Sequence, residues 1–176
     1  MKLDTLEALL IDELKDLWSA EKQILAGLPK MIKAAGARSL KKAFAVHERQ
    51  TRQHVKRLER VLKSLGASPG GKKCVGMEAL LKEGTQLIKE KPAQHVLDAG
   101  LISAAQHVEH YEMAGYGTVR TWARLLGYEK HAQLLQQTLD EEGVADQELS
   151  ALAPVSYTHL RAHETKANLV CRLLLE

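Results

Sequence analysis

Apolar residues recur every three or four positions along most of the chain, the period of an amphipathic helix rather than the alternation of a strand. From Asp4 to Ala35 the stripe is Leu6, Leu9/Leu10, Leu14, Leu17/Trp18, Ile24/Leu25, Leu28 and Met31/Ile32. This predicts one long helix, A. Asp4 with Glu7 three residues later matches a capping box, Gly36 suits a left-handed stop, and Pro29 inside predicts a kink. Helix B is predicted from an N-cap at Ser39 through Leu40, Phe44, Thr51, Val55, Leu58, Val61/Leu62 and Leu65 to Gly66. The few residues between A and B make them an antiparallel hairpin. The turn-rich stretch ASPGGKKCVG and a short helix from Met77 to Glu90 then carry the chain to Pro92. A link of that length between the second and third helices crosses the end or flank of a bundle. Helix C follows Leu97, Leu101, Ala105, Val108, Val119, Trp122 and Leu126 to Gly127, and helix D follows Ala132, Leu135, Leu139, Ala145, Leu149 and Leu152. The expected fold is all-α, an antiparallel four-helix bundle over residues 1–153 with a long B-to-C crossover that contains an extra helix.

Composition agrees with that pattern. Hydrophobic residues make up 45% of the 176 and aromatic residues 4%, which suits helices with a core of their own and argues against disorder. The net charge of +3 contains no basic arm, so a dedicated nucleic-acid binder is not indicated. The N-terminal apolar run is broken by acids, so neither a signal peptide nor a membrane span is expected there. Cys74 and Cys171 lie far apart in unlike surroundings, which fits a reducing, cytoplasmic setting.

The informative positions are those that interrupt the stripes with polar residues. Glu21 on helix A stands where a leucine is expected; His47, Thr51 and His54 fall on the apolar face of B with Gln50 beside them; Glu109 and Glu112 flank the seam of C; Glu142 and Asp146 follow Leu139 on D. Counting from the hairpin ends sets their heights. Glu21 lies 15 residues before Gly36 and His54 15 after Ser39, while Glu112 lies 15 before Gly127 and Glu142 15 after it. Each is roughly 22 Å from its turn, so level hairpins collect Glu21, His54, Glu109, Glu112, Glu142 and Asp146 in one layer. Several carboxylates in a low-dielectric layer are costly unless cations offset them. Oxygen-rich sites with an imidazole suit iron or manganese, and carboxylates and histidines projecting inward from four helices form the dinuclear sites of ferritin-like bundles.

The sequence also resembles the YciE/YciF ferritin-like family over about residues 4–153. The motifs are DELKDLWSAEKQ on A, HERQTRQHVKRLE on B, KKCVGMEALLKEG in the crossover, VEHYE and YGTVRTWA on C, and LLQQTLDEEGVAD on D. The resemblance implies a ferritin-like bundle, a homodimer, and an iron-binding bacterial stress protein of ferroxidase type. Its metal ligands would be Glu21, His54, Glu109, Glu112 and Glu142, with Gln50 and Asp146 as weaker ligands or hydrogen-bond partners, and Fe or Mn as the metal, two per chain. Its partners would be metal ions and O₂ or peroxide, with no nucleic acid and no membrane. Two departures stand out: the Glu-x-x-His pair usual on B reads Thr51-x-x-His54, and D carries Asp146 where a second histidine is usual.

Plainer roles compete at several positions. Glu21 could pair with Lys22 or Arg52, and His47 reads as a core or supporting histidine. Glu141 reads as the solvated neighbour of Glu142, His107 and His110 as solvent-facing, and Tyr111 and Tyr116 as packing residues. Cys74 carries no paired motif. The tail VSYTHLRAHETKANLVCRLLLE after Pro154 lacks the bundle's patterning and resembles translated adapter read-through fused to the gene; His159 and His163 within it have helical metal spacing but no further ligand. The function expected is a dinuclear metal protein that oxidises Fe(II), with a manganese peroxide-dismutating protein as the neighbouring variant and a metal-poor helical interaction module as the alternative.

Overall fold

The computed structural model describes the backbone of residues 3–173 and the side chains of residues 3–153. Its elements, in order, are α1 (Leu6–Ala34), α2 (Arg38–Ser64), α3 (Val75–Glu90), α4 (Gln94–Leu125) and α5 (Glu129–Leu173), with no strand among the described residues. Helices α1, α2, α4 and α5 form the bundle: α1 packs on α2 and α4, α5 packs on α4 and α2, and α3 lies against α4 and α1. Cross-bundle contacts fix the directions. Along α1 and α4, Glu7 meets Tyr128 just beyond α4, Glu21 meets Tyr116, and Gly36 just beyond α1 meets Asp98 near the start of α4, so the pair is antiparallel. On α2 and α5, Ser64 meets His131 and His54 meets Glu141, also antiparallel. The predicted bundle and crossover are both present.

The helix ends show where tertiary contacts override local signals. The first N-cap is Thr5 rather than Asp4, with its hydroxyl accepting from the Ala8 amide at 3.1 Å. Gly36 is not left-handed, because the turn is held from another helix: Asp98 of α4 accepts from the Gly36 and Ala37 amides at 2.7 and 2.8 Å. Glycine is needed there for close approach, since a Cβ would lie 2.4 Å from the Gln94 Cγ. With those amides satisfied, α2 starts at Arg38 with Ala37 as N-cap and no side-chain cap, and Ser39 lies inside the helix. Gly66 and Gly127 do adopt the left-handed conformation, at φ 70 and 79, and the amides after them return to Leu62 and Ala123. Helix α1 runs on through Pro29, and α5 passes the expected end at Leu152 and continues to Leu173. A proline removes one backbone hydrogen bond without obliging a helix to end there. The side chains of His159, His163 and Cys171 lie outside the described residues.

The crossover is strapped to α1. The Cys74 amide donates to Ser19, Gln23 donates to the Cys74 carbonyl, and Lys72 reaches Asp12 at 2.6 Å. The core itself is split into two apolar clusters. One holds Leu10, Leu14, Leu17, Leu58, Leu62 and Leu135; the other holds Ile24, Leu28, Leu40, Phe44, Leu101 and Leu149. Burial of side chains of this size stabilises the fold by about 1.5–3 kcal/mol each, and the two clusters bracket the level of Glu21 on α1 and His54 on α2. No described helix is long and apolar enough to cross a membrane.

Asp98 is buried and is the shared acceptor of the α1–α2 turn, so Asp98→Ala should lower stability by about 2 kcal/mol through two stranded amides. Urea unfolding at neutral pH checks this; an unchanged midpoint would mean that the turn holds without α4.

Candidate metal centre

Between the two apolar clusters lies a layer of buried polar side chains. Helix α1 supplies Glu21, α2 supplies His47, Thr51 and His54, α4 supplies Glu109, Glu112 and Tyr116, and α5 supplies Glu142. Glu21, Thr51, His54, Glu112, Tyr116 and Glu142 are all 0% exposed, and Glu109 and His47 nearly so. Helical spacing of three and four places Glu109, Glu112 and Tyr116 on one face, and antiparallel packing brings that face to Glu21.

Ligand-type atoms converge here in two groups: Glu21, His54 and Glu142, and His47, Glu109, Glu112 and Glu142. Glu142 belongs to both. Its Oε1 lies 2.8 Å from His54 Nδ1 and its Oε2 3.8 Å from His47 Nδ1. His54 Nδ1 is also 3.3 Å from Glu21, and His47 Nε2 is 3.4 Å from Glu109. None of these approaches has the alignment of a hydrogen bond. Both oxygens of Glu112 and of Glu142, Oε2 of Glu21, Oε2 of Glu109, both nitrogens of His47 and Nδ1 of His54 are buried without a hydrogen-bond partner. Buried polar atoms are ordinarily paired, so this many carboxylate oxygens and imidazole nitrogens without a hydrogen-bond partner, converging within reach of one another, could hold a metal ion. The residues fit a metal centre. Thr51 is not part of that set, since its hydroxyl donates to the His47 carbonyl of its own helix.

The electrostatics follow from the missing water. Burial drives Glu109 and Glu112 well above the usual carboxylate range, and the neighbouring carboxylates, Glu142 first for Glu109 and Glu21 first for Glu112, push the same way. Burial also raises Glu21, although contact with His54 opposes it. For Glu142 burial is outweighed by His54, and its carboxyl falls below the usual range. Burial acts to lower His54, but Glu142 and Glu21 overcome it and raise the imidazole to about 10. His47 moves down, because burial dominates there. Without metal, burial and mutual repulsion favour the protonated forms of Glu109 and Glu112, and Glu21 and Glu142 favour a charged His54 between them.

Around this set stands a ring of orienting contacts. His54 Nε2 donates to Glu141 at 2.8 Å, and Arg57 clamps both Glu141 oxygens at 2.7 and 2.8 Å. Glu141 is therefore not the solvated neighbour expected of it: Arg57 and His54 hold its carboxyl below the usual range against partial burial, and it turns Nδ1 of His54 toward the layer. Tyr116 is more than a packing residue, since its hydroxyl donates to Glu21 at 2.5 Å. His47, expected to be a supporting histidine, stands within a ligand group. Asp146 lies outside both groups, accepting from Gln106 and pairing with His110, each at 3.2 Å. Gln50 is half-buried beside His47 on the wall of a small cavity. His107 and His110 are exposed, as expected. Two signals in the sequence pointed to the missed residues: His47 is seven residues from His54, the same helix face, and Arg57 follows His54 by three, where it can reach an acid beside it.

The model of a domain of unknown function, DUF892, matches residues 5–162. The chain belongs to the DUF892 family. It is 42% identical to Protein YciF of Escherichia coli strain K12 over 154 residues, 87% of this chain and 93% of that protein. The crystal structure of the E. coli stress protein YciF superposes with a TM-score of 0.86 at 40% identity, covering 89% of this chain and 99% of the other. YcfI from Rhodopseudomonas palustris superposes with a TM-score of 0.81 at 39% identity, covering 85% and 97%. A Xanthomonas campestris protein at 18% identity and a TM-score of 0.74 shares the fold. The family match reaches beyond Leu152, in step with the continuation of α5.

A pH dependence follows from the raised groups. Glu21, Glu109 and Glu112 hold their protons more tightly folded than at the ordinary value of 4.5, and His54 more tightly than at 6.5. Their stabilisation is complete below those ordinary values and is lost as pH rises through the raised ones, that of His54 at about 10; the lowered His47 alone in the layer opposes this near neutrality. Metal-free protein in chelator should therefore melt lower at pH 9 than at pH 6. A melting temperature that rises over that interval would contradict the proton-holding layer.

Proposed function

We propose that this protein binds two metal ions in the buried layer and oxidises Fe(II) with O₂ or peroxide. The observation that supports it is the convergence of unpaired carboxylate oxygens and imidazole nitrogens from all four bundle helices in a place closed to water. Glu21, His54 and Glu142 would hold one ion; His47, Glu109 and Glu112 would hold the other, with Glu142 spanning both. Carboxylates dominate the set, which favours Fe(II) and Mn(II) over a closed thiolate site.

Iron supplies the electrons: two Fe(II) and two protons reduce O₂ to H₂O₂, or reduce H₂O₂ to two waters, leaving two Fe(III). The protein supplies the rest. Glu109 and Glu112 give up protons as the cations enter, and their negative charge then offsets the ions. Glu141, fixed by Arg57, keeps His54 in the tautomer that presents Nδ1, and Tyr116 holds one oxygen of Glu21 so that the other faces the layer. Leu17 and Leu58 on one side and Ile24 and Ala105 on the other keep bulk water away. Burial at this level raises the strength of every interaction between the carboxylates and the ions.

Metal analysis of protein produced with iron and manganese supplied should find about two ions per chain, and Glu21→Ala and Glu142→Ala should each abolish the pair. The loaded parent should oxidise added Fe(II) faster than buffer. Fewer than about 0.2 ions per chain would instead support a metal-poor interaction module, in which the acidic layer has no ligand to serve and added Fe(II) leaves the melting temperature unchanged.

A further inference from the structure

A cavity of about 30 Å³ opens inside the bundle on the side of the layer away from Tyr116. Its wall is built mainly from Ile24, Leu28, Phe44, Ala105, Val108 and Leu149, drawn from all four bundle helices. Two of its few polar members, His47 and Glu109, belong to the second ligand group, and the other two, Gln50 and Glu148, are half-buried and exposed on α2 and α5. The cavity thus touches the metal layer and also reaches side chains in contact with solvent.

Size and chemistry restrict what can occupy such a space. A water molecule needs about 10–15 Å³ and two to four polar partners, which this cavity offers only at its His47–Glu109 edge and its Gln50 and Glu148 mouth, whereas the apolar remainder of its wall suits apolar guests such as xenon. Roughly two water-sized positions match a diatomic molecule. Hydrated Fe(II) and hydrogen peroxide would both lose hydrogen bonds on entering an apolar wall, and dioxygen loses none. We propose that this mainly apolar cavity admits dioxygen from the α2–α5 side and holds it against the His47–Glu109 edge of the layer, making O₂ the preferred oxidant. The role rests on the ferroxidase reading. In the step it serves, two Fe(II) each lose one electron, O₂ accepts both with two protons, and H₂O₂ leaves.

Ala43 and Ala145 line the chamber without belonging to either ligand group, so Ala145→Leu and, should that variant fail to fold, Ala43→Leu fill it. The first readout needs no metal: ¹²⁹Xe NMR of the metal-free protein should show a bound-xenon exchange shift in the parent that disappears in the filled variant. The second compares O₂-driven with H₂O₂-driven Fe(II) oxidation at equal metal content. The ratio of the two rates should fall by about tenfold in the filled variant at limiting O₂. Absence of xenon binding in the parent, or an unchanged ratio in the variant, overturns the proposal while leaving the ferroxidase reading intact. Xenon binding with no Fe(II) oxidation by either oxidant overturns the ferroxidase reading and the delivery role together.

Discussion

Removing four glutamates from water in one layer is the constraint on which the bundle depends. Glu21, Glu109, Glu112 and Glu142 come from three helices, and the fourth supplies two histidines, so no single helix can relieve the charge by moving alone. An uncompensated buried carboxylate costs several kcal/mol, and one domain is stable by only about 5–15 kcal/mol in total. In the metal-free chain this cost favours protons on Glu109 and Glu112 and a charged His54 between Glu21 and Glu142. Those are the protons and the cation that divalent ions would replace.

The rest of the fold insulates that layer and fixes its geometry. Two apolar clusters, one on each side, supply the burial that the layer forgoes, and antiparallel packing of both hairpins brings the four stripes to one level. Precision comes from neighbours outside the two converging groups. Arg57 holds Glu141, Glu141 holds His54, and Tyr116 holds Glu21, so side chains around the layer orient those within it. At the far end Asp98 ties α4 to the α1–α2 turn, and the crossover is tied to α1 through Ser19, Gln23 and Lys72.

Much of this was legible in the hydrophobic pattern. Equal counts from the hairpin ends place Glu21, His54, Glu112 and Glu142 level, and all four are fully buried in one layer. What the counts missed has physical causes. A height assigned to each Cα ignores side-chain reach, so His47, two turns from His54, looked too distant although glutamates from α4 and α5 extend to it. The same shortcut placed Asp146 in the layer, whereas it pairs at the edge with His110 and Gln106. Glu141 looked solvated because periodicity cannot show that Arg57 of another helix faces it. Local capping rules failed at Gly36 and Ser39 because a carboxylate from α4, distant in sequence, had already satisfied the turn.

Burial and mutual repulsion favour protons in this layer, and metal ions entering it would displace them. Calorimetric titration of Mn(II) into the metal-free protein near pH 7, repeated in buffers of different ionisation enthalpy, counts the protons released. Displacement from Glu109, Glu112 and His54 predicts the release of about one or more protons for each ion bound. Saturable binding with no proton release would contradict it, because the ions would then be entering a layer already ionised or binding somewhere else.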